Sequence, residues 1–239
     1  MKILHISLDD TKGIFKAVCS NKMDSIFETR TLSFLKEMHI KYDAVFTLFC
    51  TYSDGAYEMS KVSDAYINEF KENSGWLRFG FHCYREDYEY IADSAEEFMK
   101  YYEMFQAQTA RITGQAEPVK ILRLHGFQGS LEMCRFLKEK GTAALLAADD
   151  GRNSYYLNEK ENEDLRNLNY FYDKMTGLEF VKSCTRLENS TDVIQELDER
   201  KKGGGNLIPV FTHEWQMDRA DIREKFELCC KWGVENCGN

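Results

Sequence analysis

Acidic residues and histidines gather where apolar segments of this chain end. The run ILHISL is followed by Asp9 and Asp10, and the run LRFGF is followed by His82. His125 and His213 end two further apolar runs. Imidazole and carboxylate ligands that leave one coordination position open form the usual catalytic zinc site. We therefore interpret these side chains as a metal-binding hydrolytic site.

The adjacent acids Asp9 and Asp10 can divide the chemistry between them. Side chains of neighbouring residues on a strand point in different directions. One carboxylate can then bind the metal while the other accepts a proton from water. A pair of acids after a strand can also cap a helix or form a turn, and that alternative stays open.

These residues need a scaffold that brings several strand ends together. Apolar segments rich in β-branched and aromatic residues alternate with amphipathic segments along the chain. The predicted strands are 2–8, 43–52, 77–82, 119–125, 142–149, 178–188 and 206–213. The predicted helices are 24–38, 61–72, one that starts at Ser94, 130–141, 192–202 and 218–232. The aromatic-rich stretch 150–177 is predicted to be a hairpin or an insertion.

Alternation of strands and helices predicts an α/β fold with a parallel sheet. We predict a seven-stranded (β/α) barrel-like fold, in which active sites lie at the carboxyl ends of the strands. An open doubly wound sheet is the alternative, but its glycine fingerprint is missing after the first strand. The chain has only two prolines and no linker-like segment, so residues 1–239 are expected to form a single domain.

The composition restricts the partners. The 239 residues include 31 basic and 40 acidic side chains, a formal net charge of −9, which argues against a nucleic-acid-binding protein. No apolar run approaches the roughly 18 residues that a membrane span needs. The start MKILHISLDD lacks the apolar region and cleavage site of a signal peptide. We therefore expect a cytoplasmic protein with reduced cysteines, and its oligomeric state stays open.

Two segments resemble the first and last motifs of the polysaccharide deacetylase superfamily, also called the NodB-homology family. HISLDDTKG is similar to an apolar strand that ends in Asp-Asp-Gly, with Thr11 in place of the glycine. VFTHEW is similar to an apolar strand that ends in a histidine, here His213. The resemblance implies that Asp9 is the catalytic base, Asp10 a metal ligand and His213 the general acid.

Two further segments resemble the middle motifs of that family. GFHCYRE corresponds to a motif with two metal-binding histidines four residues apart, where His82 matches the first and Glu86 stands at the second. RLHGFQG lies where the family has an Arg-Pro-rich motif, and it offers His125 instead of the prolines. The third metal ligand is therefore open. His125 is the softer donor and ends its own predicted strand, whereas Glu86 has the family's spacing.

The resemblance implies a divergent deacetylase with a divalent metal, and zinc is the expected one. Its substrate would be an N-acetylated carbohydrate, either small or linked to a carrier, as in surface-glycan synthesis. We expect Trp215 and Arg186 to contact this substrate, because both lie near predicted strand ends. A non-catalytic relative that binds a glycan or a metal is the main alternative. A phosphoesterase on the same barrel is a third, disfavoured by the few basic residues at strand ends.

Overall fold

The computed structural model describes residues 2–19, 23–87 and 91–237. The strands in these ranges are β1 (Ile3–Thr11), β2 (Phe46–Thr51), β3 (Leu77–Cys83), β4 (Ile121–Leu122), β5 (Ala144–Ala147), β6 (Tyr170–Asp173), β7 (Leu178–Lys182), β8 (Thr185–Arg186) and β9 (Leu207–His213). The α-helices are α1 (Gly13–Cys19), α2 (Arg30–Tyr42), α3 (Ile67–Glu72), α4 (Ala95–Thr113), α5 (Leu131–Glu139), α6 (Glu159–Leu168), α7 (Val193–Lys202) and α8 (Ala220–Asn236).

The strands form two sheets, and the α/β class predicted from the sequence is confirmed. The larger sheet has five parallel strands in the order β3-β2-β1-β9-β8. The smaller sheet has four strands in the order β4-β5-β7-β6, in which only β6 is antiparallel to its neighbour. Helices follow most of the strands and cover the sheets, as parallel pairing requires. None of the described helices is long and apolar enough to cross a membrane.

One seam between the sheets is closed by a single run of chain. After pairing with β5, strand β7 continues through Ser183 and Cys184 into β8, which pairs with β9. The backbone N–H of Cys184 donates to the carbonyl oxygen of Pro209 at 3.2 Å, so the pairing with β9 begins before β8 itself. The chain therefore passes from one sheet to the other without a break.

The other seam, between β3 and β4, is bridged by side chains. Gln115, just after α4, accepts a hydrogen bond from the backbone N–H of Phe79 at 2.9 Å and donates one to its carbonyl oxygen at 2.8 Å. Its amide thus takes the place of a neighbouring strand. Further along β3, the Nδ1 atom of His82 lies 2.7 Å from the carbonyl oxygen of Arg123. These contacts satisfy the backbone of an otherwise unpaired strand edge.

The differences from the predicted elements have local causes. The fourth predicted strand, 119–125, is reduced to β4, because Arg123 turns into the interior and a 3-10 turn begins at His125. The stretch 150–177 contains helix α6, which was not predicted, followed by the hairpin strand β6. Helix α1 was missed as well. All eight cysteines are free thiols, as predicted.

Candidate active site

The end of β1 places the two neighbouring acids on different sides. The pairing of β1 with β2 shifts between Leu8 and Thr11, and Asp10 adopts a φ of +54°. This left-handed conformation is costly for a non-glycine residue and is typical of functional sites. The carboxylate of Asp9 lies against Arg123, whereas that of Asp10 lies beside His82. The carboxylates of these two neighbouring acids therefore point in different directions, as predicted from the sequence. The irregular pairing at the end of β1 contributes to this difference in direction.

Three side chains converge on one point, two from the ends of β1 and β3 and one from the 3-10 turn that follows β4. The Oδ1 atom of Asp10 lies 3.3 Å from Nε2 of His82 and 3.6 Å from Nδ1 of His125. The two imidazole nitrogens are 3.3 Å apart. The three ligand atoms thus form a nearly equilateral triangle. Among the residues that the structure describes, these three side chains form a group that could hold a metal ion.

The dimensions of this triangle fit a small divalent cation. Zinc lies about 2.0–2.1 Å from nitrogen and oxygen ligands, so ligands in a tetrahedron are separated by roughly 3.3–3.4 Å. The observed separations are close to that value. The Oδ1 atom of Asp10 is also buried without a hydrogen-bond partner among the described residues. A buried carboxylate oxygen without a partner is unfavourable, and a cation in the triangle would satisfy it.

Neighbouring groups orient these ligands and tune their charge. A carbonyl oxygen can only accept, so His82 donates from Nδ1 to Arg123 and turns Nε2 towards Asp10. Burial acts to raise the pKa of Asp10, but the imidazoles of His125 and His82 outweigh it and hold that pKa well below its usual range. Burial acts to lower the pKa of His82, yet the neighbouring acids outweigh it and raise that pKa.

The Asp9 carboxylate is held by a buried arginine. Arg123 donates from Nη1 to Asp9 at 2.9 Å and to the hydroxyl of Ser7 at 2.9 Å, and from Nη2 to the hydroxyl of Ser183 at 3.1 Å. Its guanidinium also lies over the ring of Phe211, 4.0 Å from the centroid. This role was missed from the sequence. A charged residue inside the apolar run VKILRLH was the available signal, because such a residue needs a buried partner.

His213 at the end of β9 lies between an acid and an arginine. Its Nδ1 atom is hydrogen-bonded to Oε1 of Glu188, and its Nε2 atom lies 3.3 Å from Nη2 of Arg186. A guanidinium can only donate, so Nε2 is the acceptor in this arrangement and Nδ1 carries the proton. The same Nε2 atom is 3.9 Å from Oδ2 of Asp10, so His213 adjoins the triangle of candidate ligands.

Glu188 was not singled out from the sequence. Besides His213, it accepts hydrogen bonds from the hydroxyl of Thr212 at 2.8 Å and from Nε of Arg186 at 3.1 Å. Burial acts to raise the pKa of Glu188, but the bond with His213 and the other donors outweigh burial and lower it to about 2. Glu188 ends the predicted strand 178–188, so the rule that identified the other strand-end residues would have found it.

The remaining sequence candidates occupy different positions. Glu86 forms an ion pair with Lys12 and does not join the triangle of candidate ligands. Trp215 is 62% exposed, and its ring is stacked on that of His213 at a centroid distance of 5.5 Å. An indole that stays exposed beside the site offers a flat apolar surface.

Glu214, which follows His213, is a structural acid. Its buried carboxylate accepts hydrogen bonds from the backbone N–H groups of Lys12, Gly13 and Ile14, at 2.8, 2.6 and 2.9 Å. These are the free donors at the beginning of α1. Burial raises the pKa of Glu214. The contact ties the segment after Asp10 to the end of β9, so it fixes the relative positions of two strand ends that carry candidate residues.

No family model and no curated protein matches the sequence of this chain. Solved structures do match its fold. An acetyl xylan esterase of carbohydrate esterase family 4 from Clostridium thermocellum, in complex with a cobalt ion, superposes with a TM-score of 0.53 at 11% identity, covering 96% of this chain and 82% of that one. The fold is that of the family 4 carbohydrate esterases.

Two other solved structures are also similar to this chain. A mutant of a family 4 pseudoenzyme with restored enzymatic activity has a TM-score of 0.52 at 12% identity, over 98% of this chain and 62% of that one. A 4-α-glucanotransferase from Thermococcus litoralis has a TM-score of 0.57 at 12% identity, over 95% of this chain and 38% of that one. Proteins with different printed activities are similar to this fold, so the site has to carry the functional argument.

Proposed function

We propose that this chain is a metal-dependent hydrolase that removes an acyl group, most simply N-acetyl, from a carbohydrate. The observation that carries the proposal is the triangle of Asp10, His82 and His125, which has the size of a tetrahedral zinc site. Two further groups with acid–base chemistry, Asp9 and His213, occupy paired positions on the neighbouring strands β1 and β9. The similarity in fold to an acetyl xylan esterase that binds cobalt supports the same reading.

The proposed metal is zinc, held by Asp10, His82 and His125. Two imidazoles and one carboxylate form a donor set found in catalytic zinc sites, where a fourth position stays open. A divalent cation there supplies Lewis acidity, which polarises an acyl oxygen and makes water a better proton donor. The hydrogen bond from His82 to the Arg123 carbonyl fixes the ring in the orientation that a ligand needs.

In this proposal Asp9 accepts a proton from the attacking water. The contact with Arg123 engages only Oδ1 of Asp9 among the described residues, so Oδ2 is the oxygen to receive the proton. The buried guanidinium also fixes the direction of the carboxylate, which general-base catalysis requires. His213, which must then carry a proton on Nε2 as well as on Nδ1, donates the Nε2 proton to the leaving amine or alcohol. For that step Arg186 must move away from Nε2, because it occupies this atom in the structure.

The proposed substrate is small or carrier-linked and carries an acylated sugar. The exposed face of Trp215 can stack on the apolar face of a sugar ring, a common use of exposed indoles. Arg186 lies on the other side of His213 and can donate hydrogen bonds to hydroxyl or acyl oxygens when it leaves that ring. Contact of Arg186 with the substrate would at the same time release His213 for proton donation.

The test is acetate release from N-acetylated oligosaccharides, measured together with bound metal. The protein should contain about one zinc per chain and release acetate. Asp10→Ala and His82→Ala should lose both properties. Asp87→Ala is the matched control, because Asp87 is an exposed acid that follows β3, the strand of His82, and pairs with Arg85. Full metal content in both Asp10→Ala and His82→Ala would refute the ligand assignment.

A non-catalytic glycan- or metal-binding protein is the second candidate. The position of Arg186 favours it, because this guanidinium covers the nitrogen from which His213 would donate. One solved structure with a similar fold is a mutant of a family 4 pseudoenzyme with restored enzymatic activity, which supports this candidate. The same assay separates the candidates: bound metal without acetate release from any acylated sugar would favour the second.

A further inference from the structure

Arg186 and His213 are placed side by side by the backbone of two paired strands. Arg186 of β8 lies opposite Phe211 of β9, and His213 follows Phe211 by two residues. Residues two apart on a strand share one face of the sheet, so the side chains of Arg186 and His213 are diagonal neighbours on that face. The guanidinium of Arg186 also lies over the ring of Phe211, 5.5 Å from its centroid. The contact between Arg186 and His213 therefore follows from the register of the strands.

Glu188 holds both members of this pair. Its Oε1 atom accepts a hydrogen bond from Nε of Arg186 at 3.1 Å and is also hydrogen-bonded to Nδ1 of His213. The side chain of Glu188 is only 9% exposed, so solvent and salt screen these contacts little. The carboxylate fixes Nε of the guanidinium and Nδ1 of the imidazole. As a result, Nη2 of Arg186 and Nε2 of His213 face each other.

The contact that covers His213 is weak compared with the contact that an oxygen could make. Nη2 of Arg186 lies 3.3 Å from Nε2 of His213, whereas an N–H donor and an oxygen acceptor normally lie about 2.9–3.0 Å apart. Nη1 of Arg186 has no hydrogen-bond partner among the described residues, and the side chain is 26% exposed. An oxygen that reaches this exposed side of the guanidinium can therefore draw it away from His213 while the contact with Glu188 remains.

The covered atom is the one that the proposed reaction uses. A guanidinium only donates, so it keeps Nε2 of His213 occupied as an acceptor and free of a proton. Donation to a leaving group needs a proton on that nitrogen, so Arg186 has to leave it first. A substrate with an oxygen next to its acyl group supplies the contact that removes Arg186. A substrate without this oxygen leaves His213 covered.

We propose that Arg186 is a specificity-determining residue, a latch on His213 that opens for sugars with a free hydroxyl group next to the acyl group. The inference rests on the hydrolysis proposed above and narrows its substrate class. Arg186 donates to the hydroxyl oxygen and uncovers Nε2 of His213 in the same movement. A hydroxyl oxygen suits this position better than a carboxylate, because the acids Glu188 and Asp10 already flank His213 and would repel a further negative charge.

Two acetate esters that differ by one hydroxyl group test the latch. They are trans-2-hydroxycyclohexyl acetate and cyclohexyl acetate, and the selectivity is the ratio of their kcat/KM values, each divided by the rate of hydroxide-catalysed hydrolysis. We expect the zinc-loaded protein to favour the hydroxylated ester at least roughly tenfold, since a hydrogen bond to a charged group is typically worth that much. In Arg186→Ala the ratio should approach unity, because the hydroxylated ester loses a contact and the plain ester gains an uncovered His213.

Arg219→Ala is the matched control. Arg219 is also an arginine near the end of β9, but its side-chain contacts among the described residues are with Gln216 and Asp221, so this variant should keep the selectivity. Modification of His213 by diethyl pyrocarbonate gives a second measurement that needs no turnover. Mass spectrometry of the peptide that contains His213 should show at least roughly tenfold faster modification in Arg186→Ala, because Nε2 is then uncovered.

The contrary outcomes separate the latch from the hydrolysis. Equal losses on both esters in Arg186→Ala, an unchanged ratio, or unchanged modification of His213 would overturn the latch and leave the hydrolysis intact. Acetate release from an N-acetylated oligosaccharide but not from the hydroxylated ester would also overturn it, because one hydroxyl group would then not open the latch. Acetate release from none of these compounds by the zinc-loaded protein would instead refute the proposed hydrolysis, and with it the role of Arg186 in specificity.

Discussion

The guanidinium of Arg123 donates to the carboxylate of Asp9 across 2.9 Å, and both side chains are almost completely buried. The pair joins the two sheets, since Arg123 follows β4 and Asp9 belongs to β1. Breaking a buried ion pair leaves an uncompensated charge in the interior and typically costs about 3–5 kcal/mol. This pair should therefore matter for stability as well as for the direction of the proposed base.

We expect Arg123→Met to lower the free energy of unfolding by about 3–5 kcal/mol. Adding Asp9→Asn should restore part of the loss, because the unpaired charge is then removed. Urea unfolding of the two single variants and the double variant measures this coupling. Arg30→Met, in an exposed ion pair with Asp218, is the control and should change little. A double variant less stable than Arg123→Met alone would contradict the pairing.

Asp9→Asn and His213→Ala should keep the metal and lose turnover. Neither residue belongs to the triangle of candidate ligands, so their removal leaves the donor set intact. General-base assistance is typically worth roughly 10²-fold or more in rate, and Asp9→Asn should lose at least that. His213→Ala should harm substrates with poor leaving groups most. Loss of zinc from either variant would mean that a ligand has been mistaken for an acid–base group.

His125→Ala and Glu86→Ala should differ in their affinity for zinc. His125 contributes a nitrogen to the triangle, whereas Glu86 is paired with Lys12. Loss of a ligand should weaken zinc binding strongly, so we expect at least tenfold weaker binding in His125→Ala and little change in Glu86→Ala. Competition with a chelator of known affinity measures both. The reverse order would assign the third ligand to Glu86.

Glu188 should make stability depend on pH in the acidic range. Its pKa falls from 4.5 to about 2 in the folded protein, which corresponds to about 3 kcal/mol. The pKa is lowered, so this stabilisation is present above about pH 4.5 and is lost as the pH falls towards 2. The difference in unfolding free energy between the unaltered protein and Glu188→Gln should therefore shrink as the solution is acidified. A constant difference from pH 6 to about pH 3 would contradict this.

Gly13→Ala should disturb the segment after Asp10. A Cβ atom on Gly13 would lie 3.0 Å from both carboxylate oxygens of Glu214, so that carboxylate must move away from the start of α1. We expect a loss of about 1–3 kcal/mol in unfolding free energy, together with reduced turnover. Gly75→Ala is the control, because nothing lies within 4 Å of its added Cβ. Equal stability of the two variants would show that the Glu214 contact is dispensable.

The sequence predicted the strands because their apolar runs are long and their ends carry polar residues. Each predicted strand is present, and 178–188 contains both β7 and β8. Helix α6 was missed because few apolar residues interrupt its charged sequence EKENEDLRNL, so tertiary contacts of Leu165 and Asn162 have to stabilise it. The seam at Gln115 could not be predicted either, since it depends on a side chain 36 residues from its partner.

For the candidate site, the sequence indicated which residues follow the predicted strands. It did not indicate which atoms of these residues come together. The residues Asp10, His82 and His125 were identified from their positions after apolar runs, and they do converge. The left-handed conformation of Asp10 has no sequence signal, because it arises from the irregular pairing of β1 with β2. The ion pair of Glu86 with Lys12 likewise depends on loop conformation.

The central claim is that a metal at Asp10, His82 and His125 supports hydrolysis of an acyl group. The most direct measurement starts from metal-free protein mixed with an N-acetylated oligosaccharide. Zinc is added stepwise to this mixture, and the rate of acetate release is measured after each addition. The account predicts that the rate rises in proportion to zinc and stops rising at about one equivalent per chain, as expected for one tight site. Acetate release that is independent of zinc, or absent when one equivalent is bound, would contradict it.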